Sequence, residues 1–335
     1  QFDIRVATGV YGSSRDITAL GLGCDDPRDI YEKWRDALAH MHEPRLVSSA
    51  PVQEEVYSGA RLKEFPVTQL PSPVEEPGFS CGIRVTAPFI TKDPDTGIRN
   101  VGMYSGHFRG DHKLIAGIAR THHALLYHHP SAVRRKEPLP VAIVLGSLPD
   151  ITYVSAANLP YGIDEIAVAG GIRRRPVEMV PCKTIPLEVP ADAEIVIEGE
   201  ISIDAMERSE PFSDYPGYLM AERALRPVID VKAITHRRDA IFTAILVGLP
   251  PSESNGISRT CRELMLYNFL KYSCNIPEVL EICCPEMGGG WNWWVIRMAK
   301  SHPTKPKQAL QAASGMDTTN KIIITVDEDI DPKDP

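Results

Sequence analysis

The sequence predicts an α+β protein: a strand-rich middle, a short N-terminal part with one clear helix, and a C-terminal part in which helices and strands alternate. Three observations carry this. Between Phe79 and about Gly248 the stretches CGIRVTAPFI, PVAIVLG, EMVPCKTIPLEV, AEIVIEGEISI, PVIDVKAITH and AIFTAILVG are rich in Val and Ile and bounded by Pro or Gly, as strands are. Few helical patterns interrupt them, which points to a barrel or sandwich rather than an alternating parallel sheet. After Ser252 the texture changes to strands alternating with helices, and before residue 50 a strand, a loop and a helix are expected. The chain therefore divides into 1–50, 51–248 and 249–335.

Taken in order, Asp26 caps and Pro27 opens a helix in which Ile30, Trp34 and Leu38 recur at helical spacing, making one apolar stripe. Ser49 to Gly78 is rich in Pro and Glu without a sustained period, as an extended linker laid over a neighbouring domain would be. In the middle, helices are expected over Leu114 to His129 and from Ile163 or Asp164 onward. The C-terminal part reads as a helix over Arg259 to Lys271, strands at Val279 to Cys283 and Trp294 to Met298, a helix from Lys305 to Ala313 and a strand at Lys321 to Val326. That alternation describes a small α/β domain.

A chain of 335 residues, 43% hydrophobic and 24% charged, can bury a large core. Its net charge of -8 argues against nucleic acid as the main partner, because binding phosphates needs a basic face. No apolar run approaches a membrane span and the first residues lack a signal pattern, so a cytoplasmic protein is expected. The seven cysteines are scattered and form no Cys-x-x-Cys pair, as reduced thiols would be. The start at Gln1 and the stop within an acidic run at Pro335 suggest part of a longer polypeptide.

The chemistry concentrates between Asp93 and His129. Asp93-Pro94-Asp95-Thr96-Gly97 has the residues of a tight turn between strands. Asn100 follows, and six of the ten histidines fall between His107 and His129. Taken alone, Asn100 reads as the end of that turn, His122 and His123 as core or surface residues of a helix, and Glu165 as a first-turn acid favoured by the helix dipole. His128 and His129 read as the solvated end of the helix. Asp327, Asp329 and Asp331 lack the Gly and distal Glu of a calcium loop. Gly288-Gly289-Gly290 has the wrong spacing for a dinucleotide fingerprint, and Trp291, Trp293 and Trp294 read as core or subunit contacts.

Several runs in order along the chain resemble the UbiD family of decarboxylases. They are Asn100-Val101-Gly102-Met103-Tyr104, Pro140 to Gly146, Asp164 to Gly171, Val189 to Gly199, Pro211-Phe212-Ser213-Asp214 with Gly217-Tyr218, and Ile234-Thr235-His236-Arg237. The resemblance implies a middle domain like the split β-barrel of flavin-binding proteins, between a partial N-terminal domain and a partial α/β C-terminal domain. It implies reversible decarboxylation of an aromatic or α,β-unsaturated carboxylic acid, with CO2 as co-product and prenylated FMN as cofactor. Losing CO2 from an sp² carbon leaves a carbanion that only such a cofactor can stabilise. A flavin prenyltransferase as cofactor supplier and a homodimer or hexamer come with the same resemblance.

The resemblance further implies a divalent metal, with K+ nearby, holding the cofactor phosphate. Its ligands would be Asn100, His123 and Glu165, with His122 beside them, a hard donor set that suits Mn2+ or Mg2+ better than zinc. Val101, Gly102 and Met103 would run along the cofactor, and Ser155 with Ala156 would lie near it. The catalytic positions depart from the family. An Arg expected five residues after Asn100 is Ser105, and the first Glu of the family's acidic motif is Ser209, with Glu210 one place on and Asp214 as the distal acid. Asp214 is favoured as proton donor, because an apolar pocket raises a carboxyl pKa towards neutrality. Glu210 is the other candidate, and Arg109 or Arg84 could supply the missing cation. Two further readings stand beside the decarboxylase: a cofactor-lacking subunit of a multi-subunit carboxylase with a binding or structural role, supported by Ser105 and Ser209, and a metallohydrolase, disfavoured because no His-Glu-x-x-His pair occurs.

Overall fold

The computed structural model describes residues 3–11, 14–74, 83–214, 218–220, 224–248, 250–290, 292–316 and 320–334. Cys81, Gly217 and Trp291 lie outside them. The middle of the chain is a closed antiparallel barrel. Around it run Ile195–Arg208, Leu139–Leu145, Arg84–Lys92, Arg99–Phe108, Lys113–Gly117 and Leu225–His236, and the last pairs back with the first. Closure removes the sheet edge that an open sheet of such apolar strands would expose. Strand alternation then fills the interior with Val85, Ala87, Phe89, Leu114, Val141, Ile143 and Ile197.

The opposite faces of the same strands carry Ile90, Val101, Ala142, Val144 and Val196, which pack under the helices Ile30–Ala39, Glu165–Arg173 and Glu253–Asn268. The α+β architecture with a central barrel is thus the one expected. At the C-terminal end Val279–Cys283, Trp293–Met298 and Ile322–Asp327 form one small sheet, with Lys305–Met316 as its helix. Trp294 is fully buried there, whereas Trp293 is half-buried against Gly288.

Three expectations are corrected. Leu114 to His129 is not one helix: Lys113–Gly117 is a barrel strand, and helical structure begins only at Ala124. Pairing with Ser105–Phe108 on one side and Val228–Asp230 on the other decides it. His128 and His129 accordingly sit inside the helical run, not at its solvated end, and His128 is fully buried with Nδ1 2.9 Å from Thr91 Oγ1. The expected linker contributes the strand Glu55–Ser58 to the outside of the barrel, and the helices Arg15–Gly21 and Pro149–Ala156 were not anticipated.

Candidate functional site

The Asp93 turn sets the register. Gly97 N–H donates to Asp93 O at 2.8 Å, and the positive φ of 74° at Gly97 is the reason for glycine there. Asn100 therefore lies not in the turn but within the strand Arg99–Phe108, opposite Thr91 and buried. Alternation puts Asn100, Gly102 and Tyr104 on one face and Val101, Met103, Ser105 and His107 on the other. Tyr104 folds back over Gly102, where a Cβ would come within 2.1 Å of its ring, and its hydroxyl accepts from Asn100 Nδ2 at 3.3 Å.

Helix Glu165–Arg173 is fixed to this strand by its cap. Asp164 accepts from the Ile166 N–H at 2.9 Å with one carboxylate oxygen and from Arg99 Nη1 at 2.5 Å with the other. The helix start thereby faces the strand, and Val101 N–H donates to Glu165 Oε2 at 3.0 Å. Burial pushes the Glu165 carboxyl up to about 8, against the pull of the backbone N–H groups around it. A bound cation would stabilise its charged form.

The two histidines enter from the turn after Lys113–Gly117. His122 stacks on Tyr104 with centroids 5.3 Å apart, and its Nδ1 is buried without a partner among the described residues. His123 faces Tyr127 at 5.6 Å and Tyr161 at 5.4 Å. Burial lowers the pKa of both, keeping them neutral as metal ligation requires. Asn100, Glu165 and His122 thus converge through Val101 and Tyr104, while His123 looks towards the Tyr161 side. Among the described residues no three His, Cys, Asp or Glu side chains form a metal-holding group, so a cation here would depend on the Asn100 carboxamide. Ser155 Oγ donates to Thr152 O at 2.8 Å within its own helix, and Ala156 and Met103 pack on the shared core.

The second group of residues lies on the other face of Arg99–Phe108. Ser105 Oγ is 3.1 Å from Thr86 Oγ1, and Ser209 is buried with its hydroxyl unpartnered among the described residues. Glu210 turns outward, with its side chain 41% exposed and Oε1 3.6 Å from Arg109 Nη2. The Asp214 backbone N–H donates to Tyr218 O at 2.9 Å, and the Asp214 charge acts on Arg226. Of the two arginines expected to replace a missing cation, Arg109 is occupied by Glu207 and Glu210, and Arg84 is buried with its guanidinium 5.2 Å from the Phe212 ring. Arg173 bridges Asp150 and Asp192 as a structural tie. Sequence reasoning missed Tyr104, His107, Gly117 and Arg226; the density of histidines was the one signal that could have drawn His107 in.

The geometry has a counterpart among known proteins. The family model for the 3-octaprenyl-4-hydroxybenzoate carboxy-lyase Rift-related domain (UbiD) matches residues 45–250, and that for the C-terminal domain of the same carboxy-lyase matches residues 257–335. The chain belongs to the UbiD family. A relative in Archaeoglobus fulgidus is 31% identical over 299 residues, 87% of this chain and 59% of the relative. One in Aquifex aeolicus is 32% identical over 356 residues, 99% of this chain and 71% of the relative. The chain thus spans only part of the length of these relatives.

Among solved structures, an evolved dimeric form of the UbiD-class enzyme HmfF from Pelotomaculum thermopropionicum in complex with prFMN matches with a TM-score of 0.92 and 31% identity, over 100% of this chain and 76% of that one. Apo 3,4-dihydroxybenzoic acid decarboxylase (AroY) from Klebsiella pneumoniae matches with a TM-score of 0.86 and 28% identity, over 99% of this chain and 70% of that one. No helix among the described residues is long and apolar enough to cross a membrane.

Proposed function

We propose that this UbiD chain carries the cofactor and substrate site of a decarboxylase acting reversibly on an aromatic or α,β-unsaturated carboxylic acid with prenylated FMN. The observation that carries the reading is the buried Glu165 carboxyl, hydrogen-bonded to Val101 N–H beside Asn100, in a fold that matches a prFMN-bound UbiD-class enzyme. A cationic partner suits that carboxyl, and the donor set of carboxylate, carboxamide and imidazole suits Mn2+ or Mg2+. Asn100 and Glu165 would supply the oxygen ligands and the His122–His123 pair the nitrogen, with K+ as a second ion. Bound prenylated FMN would supply the electron sink that decarboxylation at an sp² carbon requires.

The remaining work falls to side chains of this chain. Val101, Gly102 and Met103 would lie along the cofactor, with Ser155 and Ala156 beside it. Asp214 would hold the proton delivered to the substrate carbon, because Glu210 is turned outward onto Arg109. Ser105 and Ser209 would line the substrate side with hydroxyls where the family carries charge. Those two serines also favour a second reading, a cofactor-lacking subunit of a multi-subunit carboxylase with a binding or structural role.

Co-expression with a flavin prenyltransferase, followed by visible absorbance, mass spectrometry of released cofactor and metal analysis, tests the proposal. The expected result is prenylated FMN with about one Mn2+ per chain, both lost in Glu165→Gln, and CO2 release from a panel of aromatic acids. Cofactor uptake without CO2 release across the panel would refute the proposed substrate class. A folded wild-type chain with neither flavin nor metal would refute the cofactor site and favour the second reading.

A further inference from the structure

A group that the proposed chemistry leaves unused lies beside Ser105. His107, on the same face of the strand, is 1% exposed, and its Nε2 has no hydrogen-bond partner among the described residues. Its ring packs against Phe212 with centroids 5.0 Å apart, and the Arg84 guanidinium lies over the same Phe212 ring. Burial first, and then the charges of Arg84, Arg226 and Arg109, push the imidazole down to about 3. An imidazole held neutral among cations is a donor or acceptor without charge of its own, and the net field around it is positive.

Two further residues shape the place. Gly117 is the cross-strand partner of Ser105, and a Cβ on it would sit 2.9 Å from Ser105 Cβ and 3.2 Å from His107 Nε2. Glycine therefore keeps the neighbourhood of Nε2 free of a side chain. Arg226, from the strand Leu225–His236, donates Nη1 to the carbonyl of the next residue, Ile118, at 2.9 Å, while its Nε is buried without a hydrogen-bond partner among the described residues. Burial lowers the pKa of that guanidinium, and Asp214 offsets this only as the smaller influence. A buried, incompletely bonded arginine is a costly arrangement unless an anion completes it. Ser213, whose hydroxyl is also buried and has no partner among the described residues, adjoins Phe212.

We propose that Arg226 and His107, with Arg84 and the Ser105 hydroxyl, form the pocket that holds the substrate carboxylate in this chain, in place of the arginine that the family carries at position 105. The inference rests on the proposed function for the identity of the anion as a substrate group. Arg226 contributes charge and an unspent N–H, His107 an uncharged N–H in the tautomer protonated on Nε2, and Ser105 a hydroxyl that exchanges its Thr86 contact for the anion.

The test uses the full chain purified after co-expression with a flavin prenyltransferase and reads binding of benzoate and of neutral benzamide by calorimetry. Wild type should bind benzoate more tightly than benzamide. Arg226→Gln should weaken benzoate by about tenfold or more, the loss of one charge-assisted contact, and benzamide by less than about twofold. Arg226→Lys should recover part of the benzoate affinity, and His107→Gln should weaken benzoate without reversing the preference. Thermal melts establish that each variant compared is folded. Absence of a benzoate preference in wild type, or equal losses for the two ligands in folded Arg226→Gln, would overturn the pocket. Flavin content is measured separately on the same samples: a flavin-free chain that still prefers benzoate through Arg226 would defeat the proposed function and leave the anion pocket standing.

Discussion

His107 and Glu165 are buried ionisable side chains shifted in the directions burial dictates, the histidine down to about 3 and the carboxyl up to about 8. Each stays neutral in the folded chain until a ligand of opposite charge or a change of pH alters the balance. For His107 the sign of the pH dependence follows from linkage. Its folded pKa lies below the unfolded value of 6.5, so its stabilising contribution is present above 6.5 and is lost as the pH falls towards 3. The loss can approach about 1.4 kcal/mol per pH unit. Urea unfolding of wild type and His107→Gln at pH 7 and pH 5 should show the difference between them changing by about 2 kcal/mol, with wild type losing more on acidification. Parallel losses would exclude a buried neutral His107. His128, pushed down to about 4 by burial, acts with the same sign in both proteins and cancels in the comparison.

At the scale of elements, what the sequence disclosed was local and what it concealed was set by distant pairing. The Asp93 turn and the capped helix after Asp164 were legible because their signals are single residues with backbone roles. Lys113–Gly117 was not, since Leu114, Ile115 and Ala116 suit a buried helix as well as a strand and only their neighbours in the barrel choose. The candidate site divides the same way. Asn100 and Glu165 were named through the family resemblance, whereas Arg226 reaches the proposed anion pocket from a strand more than a hundred residues beyond His107 and carries no local motif.

The helix that bears Glu165 depends on two glycines for its position. A Cβ on Gly171 would lie 2.5 Å from Ala37 O and 2.9 Å from Ala37 Cα, both backbone atoms, and one on Gly170 would lie 2.6 Å from His42 O. Gly171→Ala should therefore cost about 1–3 kcal/mol by forcing the helices apart. Because Asp164 and Glu165 ride on the same helix, the Mn2+ binding proposed above should weaken with it. Denaturant unfolding and metal titration read the two effects, and unchanged values for both would show that the helix crossing has slack.

At the scale of the molecule, the segments 1–50, 51–248 and 249–335 share one core. Trp34, Ile166, Val196, Leu264, Trp294 and Ala309 belong to a single apolar cluster. Polar ties reinforce it: Glu253 accepts from Val10 N–H at 2.7 Å, Tyr11 N–H at 3.2 Å and Leu246 N–H at 3.2 Å, while Tyr31 OH donates to Ile282 O at 3.1 Å. Truncating Trp34, which is fully buried, removes packing from all three segments at once. Trp34→Ala should cost about 3–5 kcal/mol, and the cost should be distributed. Hydrogen exchange should accelerate in 257–268 and 293–298 as well as in 30–39, because residues that open together exchange together. Acceleration confined to 30–39 would instead mean that the N-terminal helix opens as its own unit. In that case the approach of Glu165 to Asn100 would rest on the barrel and the Asp164 cap alone, and metal affinity would survive the substitution.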